Sequence, residues 1–545
     1  MGRHRRVAWI VVVACLAWPG AASAKVRDVP VLPAVPASAL ASVKQLAILH
    51  NGRVKPFDSF ARETVRLITG AARVQGQDPA ATLLAIAADP SAWTDAKILA
   101  LPYGPLREAL GVDRRATHVS YNELVDTKAL MRRLPALMEK QQRDEPLTVL
   151  DHETMDAYDR FVAFSGVLQQ RFAMAPGTAD AREWTLILES PAKDSWEALV
   201  DAFKEGQADR IRSAAEQVQA AAGVNPRAYP PAWQFRLEIA YNRAAPFAAA
   251  RALYVLAAVL LLLGLARPGG RTQAGLAMYA AAAVAHVAGI AARVVIGGRP
   301  PVSNFYETML WLPLVAVVLA GVFERIYRGG VFALAAAIVA GVTLLIAEYV
   351  PLDSSISPVV AVLRSNLWLT IHVLTIVASY GALALATVLA HLYAARYLMR
   401  APASAMQQLD TYLYRAIQVG VVLLAGGIML GAVWANASWG RYWGWDPKET
   451  WALITLLWFL AALHGRFAGW LRGVGVALCT IAGFLLLLMT YYGVSFYLVG
   501  LHSYAGGHAK PVPPLLLAYL AAEAAFLVVV GLAALRRPQS SRPPR

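Results

Sequence analysis

The run Trp439-Gly440-Arg441-Tyr442-Trp443-Gly444-Trp445-Asp446-Pro447-Lys448-Glu449-Thr450-Trp451 sets four tryptophans, two acids and two bases within thirteen residues. Apolar segments of membrane length lie on both sides of it. Ionised side chains are costly in hydrocarbon, so Asp446, Lys448 and Glu449 do not belong at the centre of a spanning helix. A water-exposed loop has no use for four indoles. The mixture suits an interfacial shelf for something large, flat and apolar that carries a few charged groups.

Working outward, the chain of 545 residues is 58% hydrophobic, and the apolar surplus sits in its C-terminal half. About 20 apolar residues span a bilayer. Nine such stretches follow residue 249: 249–266, 274–296, 305–323, 331–349, 367–395, 415–434, 449–466, 473–494 and 514–535. The fold class read from this pattern is an all-α polytopic membrane protein with about nine transmembrane helices, preceded by a helical extracytoplasmic domain. Residues 536–545 form a cytoplasmic tail. The net charge of +15 does not point to nucleic acid, because the arginines concentrate at helix ends and in loops, where they set topology. If residue 249 enters from outside, twelve arginines fall in cytoplasmic loops and the tail. Only Arg299, Arg364, Arg441, Lys448 and Lys510 lie outside. The Trp-rich loop, 434–451, then faces outward between spans six and seven.

Residues 1–24 agree with that orientation. Arg3, His4, Arg5 and Arg6 make a basic region, Val7–Trp18 an apolar one, and Ala22-Ser23-Ala24 a signal-peptide cleavage site. Val12-Val13-Ala14-Cys15 also fits a lipoprotein signal, and the segment could remain as an anchor; all three send residues 25–248 across the membrane. The second cysteine, Cys479, lies in a hydrophobic helix. With no Cys-x-x-Cys, the chain carries neither a dithiol centre nor a covalent haem site of its own. Within 25–248, helical periodicity covers 58–70, 120–143, 151–173 and 195–222. His50-Asn51-Gly52-Arg53 reads as a turn leading to a helix capped by Asp58 or Ser59.

Four histidines stand out. His372 begins span five near the outer surface, and His502 follows span eight on the same side. His464 lies roughly 22 Å deeper in span seven by the helix rise of 1.5 Å per residue. His286 is near the middle of span two. A histidine in a span is either functional or hydrogen-bonded to a neighbouring helix. Two outward imidazoles beside a tryptophan shelf can serve as axial ligands to haem iron, with indoles packing the porphyrin and Arg441 or Lys448 pairing with its propionates. Arg364 and Asn366 could also reach a propionate. The bland alternative is an interfacial aromatic belt, which does not call for Gly440 and Gly444 between the rings or for the Asp446, Lys448, Glu449 cluster.

Taken together, Trp439, Trp443, Trp445, Asp446, Lys448, Glu449 and Trp451 resemble the "WWD" signature of haem-handling proteins in cytochrome c biogenesis. The C-terminal half, over roughly residues 249–510, resembles the CcsA (ResC) branch of System II. Arg299-Pro300-Pro301-Val302-Ser303-Asn304-Phe305-Tyr306-Glu307, Trp368 with His372, Leu463-His464 with Arg466, and Leu501-His502-Ser503-Tyr504 carry that likeness. The resemblance implies that His372 and His502 ligate haem b at an external site and that His464 ligates it within the membrane. It implies haem export and thioether attachment to an apocytochrome c with a Cys-x-x-Cys-His motif, as the CcsA-like subunit of a holocytochrome c synthetase in the bacterial cytoplasmic membrane. Implied partners are a CcsB (ResB)-like membrane subunit and a thiol-reducing protein. The N-terminal region does not look like CcsB, so a separate CcsB is expected, with His286 as the in-chain candidate otherwise. Residues 45–70 resemble the extracytoplasmic segment that precedes the CcsA part in some fused proteins. Two other classes remain open: a b-type haem electron-transfer subunit, and a small-molecule transporter with an aromatic lid.

Overall fold

The computed structural model describes residues 29–30, 33, 35–143, 145, 147–176, 183–223, 229–266, 269–350, 352–358, 367–502 and 512–536. Residues 1–24 with Cys15, expected to be a signal segment, the residues beyond Arg536, expected to be a cytoplasmic tail, and Arg364, Asn366, Ser503, Tyr504 and Lys510 lie outside the described residues. The chain divides into two compact units. One holds residues 1–245 with 295–297 and 355–358; the other holds 246–294, 298–354 and 359–545.

The first unit is mostly helical but carries three two-stranded antiparallel ribbons. Asn51 and Gly52 both take positive φ, 50° and 72°, as a two-residue hairpin turn of the Asn-Gly type requires. They join β1 (Ala47–His50) to β2 (Arg53–Pro56), paired Ala47 with Pro56 through His50 with Arg53. Helix α1 (Phe57–Thr69) follows at once. The expected cap by Asp58 or Ser59 is not formed: Pro56 is the N-cap residue and no side chain caps it. The Phe57 N–H donates to Leu46 O at 2.8 Å instead. Asp58 and Ser59, freed from capping, make tertiary bonds. Asp58 accepts from Arg62 Nε at 2.8 Å and Asn242 Nδ2 at 3.0 Å, and Ser59 Oγ donates to Glu238 at 2.6 Å.

Two of the expected helices are each interrupted once. The segment 120–143 breaks at Lys128 (φ 49°) into α2 (Tyr121–Thr127) and α3 (Ala129–Gln142). The segment 195–222 breaks at Gly206 (φ 70°) into α5 (Lys193–Lys204) and α6 (Ala208–Ala222), after α4 (Val149–Leu168). Phe57, Phe60, Phe172 and Trp196 meet with ring centroids 5.5–6.3 Å apart, offset or edge-on as aromatic quadrupoles prefer. Glu238 on α7 (Ala232–Ala244) is buried and accepts two bonds from Arg53, at 2.8 and 2.6 Å.

Among the described residues nine helices are long and apolar enough to cross a membrane, and the chain is an all-α polytopic membrane protein. They are α8 (Pro246–Ala266, continuous in hydropathy with α7), α9 (Gly270–Gly297), α10 (Phe305–Tyr327), α11 (Val331–Tyr349), α12 (Leu367–Leu398), α13 (Ala403–Trp439), α14 (Pro447–Phe467), α15 (Val474–Leu488) and, last in the chain, Pro514–Arg536. Span eight does not end with α15. A π turn (Met489–Gly493) and a short helix, α16 (Val494–Tyr497), carry it on, and the last span is therefore α17.

Two features of this second unit position the site. Helix α13 presents glycines to α12. A Cβ on Gly420 would meet Leu383, one on Gly427 would meet Ile376 at 2.8 Å, and one on Gly431 would meet His372 Cε1 at 2.7 Å. Small residues at a helix contact allow close approach and van der Waals packing, a main source of association in lipid. The π turn is the second feature. Within it the Tyr491 carbonyl accepts both Lys448 Nζ at 3.1 Å and Ser495 Oγ at 2.8 Å.

Glu238→Ala leaves the Arg53 guanidinium half-buried without its carboxylate. Breaking such a pair by removing one partner costs on the order of 3–5 kcal/mol. Hydrogen exchange of the intact protein in detergent should show faster exchange of β1, β2 and α1 with the membrane spans unchanged. Unchanged protection of α1 would contradict this.

Candidate functional site

A cavity of about 770 Å3 opens at the end of the second unit where α12 begins and α13 ends. That size falls within the range of small-molecule and cofactor pockets, roughly 300–1,000 Å3. His372 comes from the second turn of α12, and Trp434 from the last turns of α13. Gly440, at φ 72°, ends α13 in a left-handed cap. Trp439, Tyr442 and Trp443 line the cavity beyond that cap, and Lys448, Glu449 and His502 also face it.

The two histidines are held in the same way. The His372 Nδ1–H donates to Gly427 O at 2.8 Å. The His502 Nδ1–H donates to Asp446 Oδ2 at 2.8 Å. A carbonyl and a carboxylate can only accept, so each Nδ1 carries a proton, and in the neutral ring the lone pair is left on Nε2. Both rings lie about 6 Å from Trp434, at centroid distances of 6.1 and 6.0 Å. Trp439 packs edge-on to His502 at 5.7 Å and to Trp434 at 4.6 Å.

Asp446 is the N-cap of α14 and closes a capping box with Glu449. Its carboxylate accepts from Lys448 N at 2.9 Å, Leu501 N at 2.7 Å and His502 Nδ1. Burial would raise its pKa, but these donors outweigh that and hold the carboxyl below its ordinary range. Glu449 accepts from Gly444 N at 2.8 Å and Asp446 N at 3.2 Å, which shapes the loop. Lys448 Nζ donates to Ser495 Oγ at 2.6 Å as well as to Tyr491 O.

His372, His502, Trp439, Trp443, Lys448 and Glu449 converge on one cavity, with Arg299 and Phe305 of the quoted Arg299–Glu307 run, while Trp445, Asp446, Trp451, Arg441, His464 and His286 do not line it. Trp445 takes φ 56° and is 70% exposed. Trp451 sits behind, its carbonyl accepting from Thr455 and Thr490. Arg441 stacks over Trp439 at 5.8 Å and reaches Glu449 at 3.8 Å. His286 is fully buried among helices: Nε2 is 3.0 Å from Leu310 O and Nδ1 3.4 Å from Tyr254 Oη. It is a helix-to-helix hydrogen bond, remote from the cavity. His464, in the last turn of α14, is exposed and bonds through Nδ1 to Leu460 O at 2.8 Å. Trp434, Tyr491 and Ser495 also line the cavity, and the sequence reading does not single them out. Trp434 was legible, lying five residues before the quoted run, a little over one helical turn along α13.

A polytopic helical membrane protein with a tryptophan-lined cavity and two Nδ1-anchored histidines is a candidate haem-handling protein. Residues 302–502 match the family profile described as Cytochrome C assembly protein. The chain is 36% identical over 240 residues to the Cytochrome c biogenesis protein CcsA of Prochlorococcus marinus, covering 38% of this chain and 77% of that one. It therefore belongs to the CcsA-type cytochrome c assembly family. It is also 29% identical over 508 residues to Protein NrfI of Wolinella succinogenes, covering 84% of this chain and 54% of NrfI; the chain spans about half the length of that relative. Among solved structures, Cytochrome c Heme Lyase CcmF aligns over 54% of this chain and 51% of its own, with a TM-score of 0.40 and 18% identity.

Asp446→Ala removes the α14 cap, a loss of about 0.5–2 kcal/mol, and frees the 500–502 segment. Asp446→Asn retains a good capping residue. Thermal unfolding in detergent should rank wild type and Asp446→Asn close together, with Asp446→Ala below. Equal midpoints for both variants would show that the cap contributes nothing.

Proposed function

We propose that this protein receives haem b within the membrane and presents it at the Trp-rich face to an apocytochrome c, as the CcsA-like subunit of a holocytochrome c synthetase. One observation carries the reading: two imidazoles in one cavity, each fixed through Nδ1, each with Nε2 open. A ligating histidine characteristically donates its other N–H to a carboxylate or carbonyl. Among the described residues no cluster of three His, Cys, Asp or Glu could hold a bare metal ion. Two axial ligands suffice for an iron whose equatorial donors come from a porphyrin. The indoles of Trp434, Trp439 and Trp443 suit its faces and edge, and Lys448, Arg299 or Arg441 its propionates.

Charge asymmetry puts this face outside the cytoplasm of a bacterial inner membrane, with residues 25–248 on the same side. His464 would serve the inward half of the route. Its exposed position, seven residues and so two turns beyond the exposed Leu457, leaves Nε2 for an iron whose second ligand comes from a CcsB-like subunit. An ionisable group on a lipid-facing stripe is otherwise costly. Attachment needs no redox group in the chain. Each substrate cysteine adds its sulfur and hydrogen across a vinyl double bond, and a separate thiol-reducing protein keeps those cysteines reduced.

Protein purified from haem-replete cells should show a low-spin haem b spectrum. His372→Ala and His502→Ala should each lower haem content or alter its ligation. Coexpressed with a CcsB-like partner and an apocytochrome c in a host lacking its own maturation system, wild type should yield thioether-linked haem and both variants at least tenfold less. Well-folded protein without haem would overturn the reading. Haem without thioether product would favour a b-type electron-transfer subunit.

A separate expectation concerns His464→Ala. It should abolish product formation while the bis-histidine spectrum of haem supplied to detergent-solubilised protein stays unchanged. Loss of that spectrum would merge the two sites into one.

A further inference from the structure

We propose that His372 and His502 are unequal iron ligands: Asp446 makes His502 the stronger, and His372 is the one an incoming imidazole replaces. This rests on the haem reading above and deepens it by assigning the exchangeable ligand.

The two rings differ in what accepts their Nδ1 proton. For His372 the acceptor is the neutral amide carbonyl of Gly427. For His502 it is the carboxylate of Asp446. Hydrogen bonds to an ionised acceptor are roughly twice as strong as neutral ones. A carboxylate partner draws the Nδ1 proton toward itself, leaves more electron density on Nε2, and raises ligand basicity.

Both rings have packing and backbone-anchored contacts. His372 is seated on α12 against Gly431, with Trp434 nearly parallel to it at 9°. His502 follows the last helical turn of span eight. The carboxylate that takes its ring proton also takes the Leu501 N–H, at 2.7 Å. Trp434 and Trp439 flank the ring edge-on. Asp446 itself is buried, and α14 depends on it as N-cap. The charge of the acceptor is the clearest difference in how the two rings are bonded. Asp446 touches neither iron nor substrate; it is a positioning residue acting through His502.

The consequence is directional. The imidazole of the Cys-x-x-Cys-His segment takes the His372 side of the iron, while His502 keeps the haem on the shelf until both thioether bonds are made.

The test uses the full-length protein loaded with haem, reduced and exposed to carbon monoxide, which displaces the weaker axial ligand. Resonance Raman of the photolysed ferrous complex then reports the remaining iron–histidine bond. Asp446→Asn should lower that stretching frequency, and the midpoint potential should rise, because a carboxylate-backed imidazole favours ferric iron. Independently, His372→Ala bound to carbon monoxide should match the wild-type complex, and His502→Ala should not. An unshifted stretch in Asp446→Asn, or a match with His502→Ala instead, overturns the assignment while leaving the haem site intact. Wild-type protein that binds no haem removes the underlying reading and this inference with it.

Discussion

The arrangement of the cavity hangs on one buried carboxylate. Asp446 starts α14, receives the Leu501 N–H and fixes the His502 ring. Those groups lie 55 and 56 residues away in sequence, across spans seven and eight. The neighbouring cation follows the same logic. Lys448 is half-buried, and an ammonium withdrawn from water needs acceptors. The π turn at Met489–Gly493 leaves the Tyr491 carbonyl to serve as one, and Ser495 supplies another. π turns inside helices recur at functional sites.

The opposite wall is built by subtraction. Gly420, Gly427 and Gly431 recur along one face of α13, so α12 can lie close. That contact carries His372 to the carbonyl of Gly427, a group already inside a helix but with a second lone pair to offer. In a bilayer, where burying apolar surface gives helices little net attraction, such close packing with a few hydrogen bonds is a principal source of association. Other polar links in the bundle are of that kind. Arg466 pairs bidentately with Asp410 at 2.7 and 2.6 Å, and His391 meets Glu523 of the last span at 3.1 Å.

Much of this was legible in one dimension, for physical reasons. Bilayer thickness imposes a length of apolar run, so the spans could be counted. Helix rise gave relative depths, which separated His372 and His502 from His464. What failed were inferences from composition about direction. Trp445 and Trp451 share a motif with Trp439 and Trp443, but positive φ at Trp445 and the helical start at Pro447 turn them elsewhere. Asp58 and Ser59 have capping chemistry but enter the helix interior, because Leu46 O already satisfies the Phe57 N–H.

The sequence alone determined that this is a helical membrane protein with a charged, tryptophan-rich shelf flanked by two histidines. Those properties follow from hydropathy, from periodicity and from the cost of charge in hydrocarbon, all local in the chain. Tertiary structure decided which nitrogen of each histidine stays open and what backs it. It also decided that His286 is spent on a helix contact and that Trp434 lies beside both rings. Such outcomes depend on contacts between residues 24 to 68 positions apart. Only packing brings those acceptors within 3 Å of a ring, and no pattern along the chain encodes that distance.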